Sequence, residues 1–148
     1  ELVFALKNGG TNIAEADALS HIYGCAAGLD MTRRDLQNKA KENRKPWDTA
    51  KDVDESAVIT PLRQMSEVPS VASGRIHLSQ NGTVKQDADL SEMVWSVPEI
   101  IADLSTMYTL QQGDVIYMGT PAGVGAVSRG DVLAGGVEGI GDFEVKIA

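Results

Sequence analysis

The chain has 148 residues, of which 43% are hydrophobic and only 5% are aromatic, and its formal net charge is −8. This length fits one domain with an aliphatic core, and the acidic balance argues against binding to nucleic acid or to an anionic membrane. The single cysteine, Cys25, excludes an internal disulfide framework, and we expect a cytoplasmic protein without a membrane-spanning segment.

The first third of the chain predicts two strands and two helices. Residues 1–7 are typical of a strand that ends in a glycine turn, and residues 13–22 have the apolar spacing of a short helix. Residues 23–31 predict a buried strand with close backbone packing, because two glycines lie among small apolar residues. Thr32 is the expected N-cap of a polar helix over residues 32–43.

The middle of the chain is richer in turns. Residues 52–69 contain two prolines and no clear period, so we predict a loop with at most short strands. Residues 75–86 predict a hairpin around Asn81-Gly82, the preferred pair for a type I′ turn. Residues 96–99 form a capping box with proline in the first turn, which predicts a helix start. The apolar face expected for that helix consists of Ile100, Ile101, Leu104 and Met107.

The last third predicts strands and loops. Residues 115–118 are typical of a buried strand, residues 119–125 form a glycine-rich loop, and residues 137–147 predict strands broken by Gly139 and Gly141. The pattern has many short strands, three helices and frequent glycine turns. It argues against a doubly wound sheet and favours an α+β, mainly β fold.

Several familiar chemistries are absent from the sequence. No G-x-S-x-G nucleophile motif occurs, and the loop at residues 119–125 lacks the Lys-Ser/Thr ending of a phosphate-binding loop. Cys25 lies among small residues and is interpreted as a buried hydrophobe. The two histidines, His21 and His77, are interpreted as surface or packing residues rather than ligands.

A group of charged residues in unusual places remains. Asp30 ends an apolar strand, and Arg34 and Gln37 follow it by four and seven positions, so all three can face one side. Lys51 lies beyond a proline where the chain turns back, and Glu1 begins a strand. Glu1 and Asp30 could supply two oxygen ligands to a hard cation such as Mg²⁺, and Arg34 and Lys51 could hold a substrate carboxylate or enolate.

A simpler interpretation of these charges is open. Asp30 could cap the following helix, and Arg34, Gln37 and Lys51 could be a solvated polar face. Spacing alone favours this interpretation, because such charge patterns are common on helices.

At these residues the chain resembles the fumarylacetoacetate hydrolase family. The matching segments follow the family order and cover nearly the whole chain. They are D-x-T-x-R-D-x-Q at residues 30–37, P-W-x-x-x-K at 46–51, N-G-x-x-x-Q at 81–86, the helix start at 96–101, and G-D-x-I-x-x-G-T-P-x-G-V-G at 113–125. Residues 30–37 and 91–96 most resemble small bacterial members that cleave fumarylpyruvate in gentisate breakdown.

The resemblance implies a mixed β-sandwich roll with a few short helices over residues 1–148, as one catalytic domain, and a homodimer. It also implies a bound Mg²⁺, or Mn²⁺ or Ca²⁺ in its place. Glu1 resembles the second Glu of a metal-binding E-x-E pair, and Asp30 resembles the next metal ligand. Lys51 resembles the catalytic lysine that polarises the substrate. The residues that resemble substrate contacts are Arg34, Gln37 and Thr120.

In the family, the first Glu of that pair and a general-base His with its partner Glu precede the segment matched here. We therefore expect the chain alone to bind metal weakly and to be a poor catalyst. The implied reaction is metal-dependent hydrolysis of a C–C bond in a small anionic 1,3-diketo acid, fumarylpyruvate or another acylpyruvate, in the catabolism of aromatic compounds. A keto-acid decarboxylase or isomerase of the same family is one alternative, and a non-catalytic domain is another.

Overall fold

The computed structural model describes residues 1–148, which form nine strands and four α-helices joined by short turns. The strands are β1 (Leu2–Leu6), β2 (Ile22–Asp30), β3 (Ala57–Ile59), β4 (Arg63–Gln64), β5 (Arg75–Gln80), β6 (Thr83–Asp89), β7 (Val115–Tyr117), β8 (Val132–Val137) and β9 (Gly141–Lys146). The helices are α1 (Glu15–Ala18), α2 (Arg34–Glu42), α3 (Asp48–Lys51) and α4 (Val97–Met107). The mainly β, α+β fold predicted from the sequence is confirmed.

The strands form two antiparallel sheets that share one core. The first sheet has the order β3-β2-β1-β7, with β4 also pairing with β2, and the second has the order β6-β5-β8-β9. Phe4 and Ile22 from the first sheet pack with Ile76 and Val137 from the second, and Ile101 of α4 joins them. Every residue of β1 is buried, because this strand lies inside the first sheet and has packed residues on both faces.

Two local turns form as their residue chemistry predicts. Asn81 and Gly82 have φ values of 51° and 78°, which are the left-handed values that a type I′ turn requires. Ser96 accepts a bond from the Glu99 backbone nitrogen, and the Glu99 carboxylate accepts one from the Ser96 nitrogen at 2.6 Å. The hairpin and the capped start of α4 are therefore confirmed.

Two helix predictions near the N-terminal half are wrong in part. The helix expected at residues 13–22 is only one α-turn followed by a 3₁₀ turn, because Ile22 pairs with Leu6 at the start of β2. α2 begins at Arg34 without a side-chain cap. The Thr32 hydroxyl does not cap it, since that oxygen instead accepts a bond from Lys51 Nζ at 2.9 Å.

Burial differs from prediction in α4 and in β7. Met107 is 61% exposed, and the buried stripe of α4 passes through Val97, Ile101 and Ser105 instead. β7 is only partly buried, because it pairs with β1 alone and forms the edge of the sheet. The short helix α3 is not predicted by the sequence pattern. No helix combines the length and apolar character needed to cross a membrane.

Cys25 provides a direct test of the core. Its side chain is 0% exposed, and burial raises the pKa of the thiol to about 11. At pH 8 roughly one molecule in a thousand would then carry the reactive thiolate. We expect a thiol reagent to modify no cysteine in the native protein and one cysteine after denaturation. Rapid modification without denaturant would contradict the packing of β2.

Candidate active site

A cavity of about 820 Å³ lies where the end of β2 and the start of α2 face the second sheet and the loop after β7. All but one of the site residues predicted from the sequence line it. They are Glu1, Asp30, Arg34, Lys51 and Thr120. A second, more open depression of about 400 Å³ beside α4 contains none of them.

Lys51 and Asp30 form an ion pair at this cavity. Lys51 Nζ lies 2.5 Å from Asp30 Oδ2 and 2.9 Å from Thr32 Oγ1, and both charged side chains are about one third exposed. The Arg33 backbone nitrogen donates to the Ala50 carbonyl at 3.0 Å, which holds α3 against the start of α2. Asp30 is therefore paired with a lysine and does not cap α2, so the capping interpretation is wrong.

Glu1 joins the site from the start of the first sheet. Its backbone pairs with Gly28 next to the end of β2, and its Oε2 accepts a bond from the Gly119 nitrogen at 2.9 Å. Burial raises the pKa of the Glu1 carboxyl, the Gly119 bond opposes this shift, and the nearby charge of Asp30 adds to it. The two carboxylates thus repel each other across the cavity, and a cation between them would relieve this repulsion.

The donor set fits a hard divalent cation in part. Glu1 and Asp30 each use one carboxylate oxygen in the protein contacts described above and keep the other free. No third His, Cys, Asp or Glu joins them to complete a cluster. Mg²⁺ and similar ions accept one or two carboxylates when water and substrate oxygens fill the remaining positions. Glu1 and Asp30 are therefore suitable but incomplete as a metal site.

Gln37 is the predicted site residue that does not line the cavity. It is only 3% exposed, and its Oε1 accepts a bond from Arg34 Nη1 at 2.6 Å. Gln37 therefore lies behind Arg34 and orients its guanidinium, and its role as a substrate contact stays a prediction. Helix geometry favours this contact, since residues three positions apart lie on one face.

The loop after β7 is held by β6. Gln86 Nε2 donates to Thr120 Oγ1 at 2.9 Å and to the Pro121 carbonyl at 2.6 Å. Gly123 has a φ of 104°, and a Cβ there would lie 2.0 Å from the Lys85 carbonyl oxygen. Gln86 belongs to the N-G-x-x-x-Q motif, but the sequence pattern does not predict this contact.

Two further residues near the site carry no sequence signal. The Tyr117 hydroxyl donates to the Val58 carbonyl at 3.0 Å, and burial together with the charges of Glu1 and Asp30 raises its pKa. His77 is among the lining residues, and its Nδ1 is buried without a hydrogen-bond partner. Neither residue belongs to the predicted site.

The contact at Gly123 gives a testable prediction. Gly123→Ala combines a left-handed backbone with a clash against a carbonyl oxygen, so we expect the loop to leave β6. Hydrogen exchange of residues 119–125 should rise, and the melting temperature should fall. Gly125→Ala is the matched control, because nothing lies within 4 Å of the added Cβ. Equal behaviour of the two variants would contradict the docking of this loop.

These features agree with the match to a known family. The family model described as fumarylacetoacetate (FAA) hydrolase, C-terminal, matches residues 1–148. The chain therefore belongs to the fumarylacetoacetate hydrolase family, as its motifs predicted.

Two of the similar proteins are fumarylpyruvate hydrolases. A fumarylpyruvate hydrolase from Ralstonia sp. is 50% identical over 147 residues, which cover 99% of this chain and 76% of that protein. The crystal structure of fumarylpyruvate hydrolase from Pseudomonas aeruginosa in complex with Mn²⁺ and pyruvate matches with a TM-score of 0.97 and 41% identity. This match covers 100% of this chain and 64% of the solved chain, so the chain spans less than two thirds of that structure.

A third relative has a different activity in its name. The mitochondrial oxaloacetate tautomerase of Rattus norvegicus is 35% identical over 147 residues, which cover 99% of this chain and 66% of that protein. The similarity therefore extends across members of the family that are named for different reactions.

Proposed function

We propose that this chain is the catalytic part of a metal-dependent hydrolase that cleaves a C–C bond in an acylpyruvate, with fumarylpyruvate as the preferred substrate. The observation that supports this most directly is the single cavity that contains two carboxylates, a lysine, an arginine and a threonine. The 50% identity to a fumarylpyruvate hydrolase supports fumarylpyruvate as the substrate within the family.

The charges in the cavity suit a small anion despite the net charge of −8. Arg34 and Lys51 bring positive charge to the mouth, and Arg34 is held in place by Gln37. Thr120 adds a hydroxyl beside the exposed backbone of the loop at residues 119–125. We assign the α-keto acid end of the substrate to this group, because cations and hydroxyl donors recognise carboxylates well.

The proposed reaction consumes one water molecule. Water adds to the acyl carbonyl, and the bond between that carbon and the neighbouring methylene breaks. The electron pair goes to the pyruvate portion as an enolate, which takes up a proton to give pyruvate, and the acyl portion leaves as a carboxylate. We assign to Lys51 the stabilisation of the developing enolate, because its ammonium group is held at the cavity by Asp30 and Thr32.

A divalent cation held by Glu1 and Asp30 would polarise the substrate oxygens and stabilise the charge that develops in the transition state. We propose Mg²⁺ or Mn²⁺ for this position. The solved Pseudomonas aeruginosa relative in complex with Mn²⁺ and pyruvate supports this choice. Calorimetry with each metal, in the presence and absence of pyruvate, would identify the preferred ion.

The reaction can be tested on the protein at its full encoded length. We expect loss of fumarylpyruvate absorbance that requires Mn²⁺ or Mg²⁺ and yields pyruvate and fumarate in equal amounts. Turnover unaffected by a chelator would contradict the metal requirement. No turnover and no Mn²⁺ binding would favour a non-catalytic domain.

A second candidate function is tautomerisation or decarboxylation of oxaloacetate. The 35% identity to the rat oxaloacetate tautomerase over 99% of this chain favours it. An enolate-stabilising site serves both reactions, so the site residues do not separate them. Assaying oxaloacetate beside fumarylpyruvate would do so, since the larger kcat/KM identifies the physiological class.

We also propose that the protein is a homodimer that acts in the breakdown of aromatic compounds, on the basis of the family resemblance. Light scattering of the purified protein tests the first proposal. Growth of a deletion strain on gentisate as the sole carbon source tests the second.

A further inference from the structure

Gln86 is a buried amide beside the loop that completes the cavity. It lies on β6, is 8% exposed, and lines the cavity together with Thr120. Its Nε2 makes two contacts, to Thr120 Oγ1 at 2.9 Å and to the Pro121 carbonyl oxygen at 2.6 Å. Both amide hydrogens are therefore used on the same loop.

These contacts fix the orientation of the amide. The Pro121 carbonyl can only accept a hydrogen bond, so the amide must present its NH₂ group and not its oxygen to the loop. The second amide hydrogen then points at Thr120 Oγ1. The Thr120 oxygen acts as an acceptor in this contact, although a threonine hydroxyl can take either role.

Because the Thr120 oxygen accepts a hydrogen bond from Gln86, the hydroxyl proton of Thr120 must point elsewhere. The hydroxyl makes no other hydrogen bond within the protein, so its proton is free to point into the cavity. A hydroxyl whose lone pair is already occupied by a donor is a preset donor, and donors fixed before binding lose less entropy when a ligand arrives.

We propose that Gln86 is a positioning residue that presets the Thr120 hydroxyl as a hydrogen-bond donor to the carboxylate of a keto acid. This inference rests on the proposed function and adds to it a residue that does not touch the substrate. The close approach of Gly123 to the Lys85 carbonyl supports it, since the same strand holds the loop at a second point. Gly119 is held at the other end by Glu1 at 2.9 Å.

The test is a double-mutant cycle with pyruvate as the probe. Gln86→Met keeps the size of the side chain and removes both donors, and Thr120→Val removes the hydroxyl at nearly constant shape. We expect Gln86→Met to weaken pyruvate binding in Mn²⁺ by about tenfold, the effect of one lost polar contact. In the Thr120→Val background the same change should have an effect of less than about twofold, because the two residues act as one unit.

Three measurements make the result specific. Calorimetry gives the pyruvate affinity, steady-state kinetics separate KM from kcat, and thermal melts report on the fold. In Gln86→Met the weaker binding should appear mainly as a higher KM. Gln112→Met, at an exposed glutamine outside the cavity, is the matched control and should behave as the unsubstituted protein.

The outcomes separate the two proposals. Additive losses in the double variant, or unchanged pyruvate binding by Gln86→Met, would overturn the role of Gln86 while leaving hydrolysis untouched. Pyruvate binding that depends on Gln86 in a protein without hydrolase activity would support this inference and overturn the proposed reaction. If the unsubstituted protein bound no pyruvate, the role of Gln86 would fall, and the absorbance assay would still decide the proposed reaction.

Discussion

Replacing Lys51 by methionine is expected to lower kcat for acylpyruvate hydrolysis by about a thousandfold, the loss typical for removal of one charge-stabilising donor. The fold should persist, because the lysine side chain is 36% exposed and supports no core packing. Mn²⁺ binding should persist or tighten, since Asp30 Oδ2 loses the ammonium that now occupies it. Steady-state kinetics and metal calorimetry on one preparation measure both effects.

The matched control for Lys51 is Lys39→Met, which removes a positive charge from the exposed side of α2. That variant should retain full turnover, which excludes a general effect of net charge. A Lys51→Met protein with normal kcat would remove Lys51 from the mechanism. A protein that lost both turnover and its fold would show that the Asp30–Lys51 pair is structural.

The second large effect is expected at Asp30. Asp30→Asn preserves the shape of the side chain and its ability to accept from Lys51, but it removes one of the two carboxylates. We expect Mn²⁺ affinity to fall about a hundredfold or more, since loss of a direct ligand should cost at least as much as loss of an outer contact. The melting temperature without metal should change little.

Titration calorimetry with Mn²⁺ measures the effect of Asp30→Asn on metal affinity. The control is Asp54→Asn, which removes an exposed carboxylate on the loop after α3. The opposite pattern, a destabilised protein with normal metal affinity, would assign Asp30 a structural role. The Cys25 and Gly123 predictions address the core and the loop, so failures at those positions can be told apart from failures at the site.

The features that the sequence predicts best are those that depend on neighbouring residues. Asn81-Gly82 and the Ser96–Glu99 box each settle a backbone shape within four residues, and both formed as expected. The position of Asp30 at the end of a buried strand followed from the apolar run before it. Family motifs then assigned Lys51 and Arg34, and the structure brings both to one cavity.

The features that the sequence did not predict depend on distant partners. The local sequence predicts Thr32 as a helix cap, but its hydroxyl oxygen accepts a hydrogen bond from Lys51, 19 residues further along. The burial of β7 depended on its place at the sheet edge, which no local pattern encodes. Gln86 meets Thr120 across 34 residues, so its role becomes visible only when β6 and the loop lie side by side.

The contact between Glu1 and Gly119 joins residues that are 118 positions apart. Closing a chain segment of that length costs conformational entropy, so we expect this contact to form after the local turns. The cavity is lined by residues from both sheets, so we expect partly folded chains not to bind its ligand. A ligand of this cavity would shift the unfolding equilibrium toward the native state by mass action, so its concentration would help to set how long the protein survives.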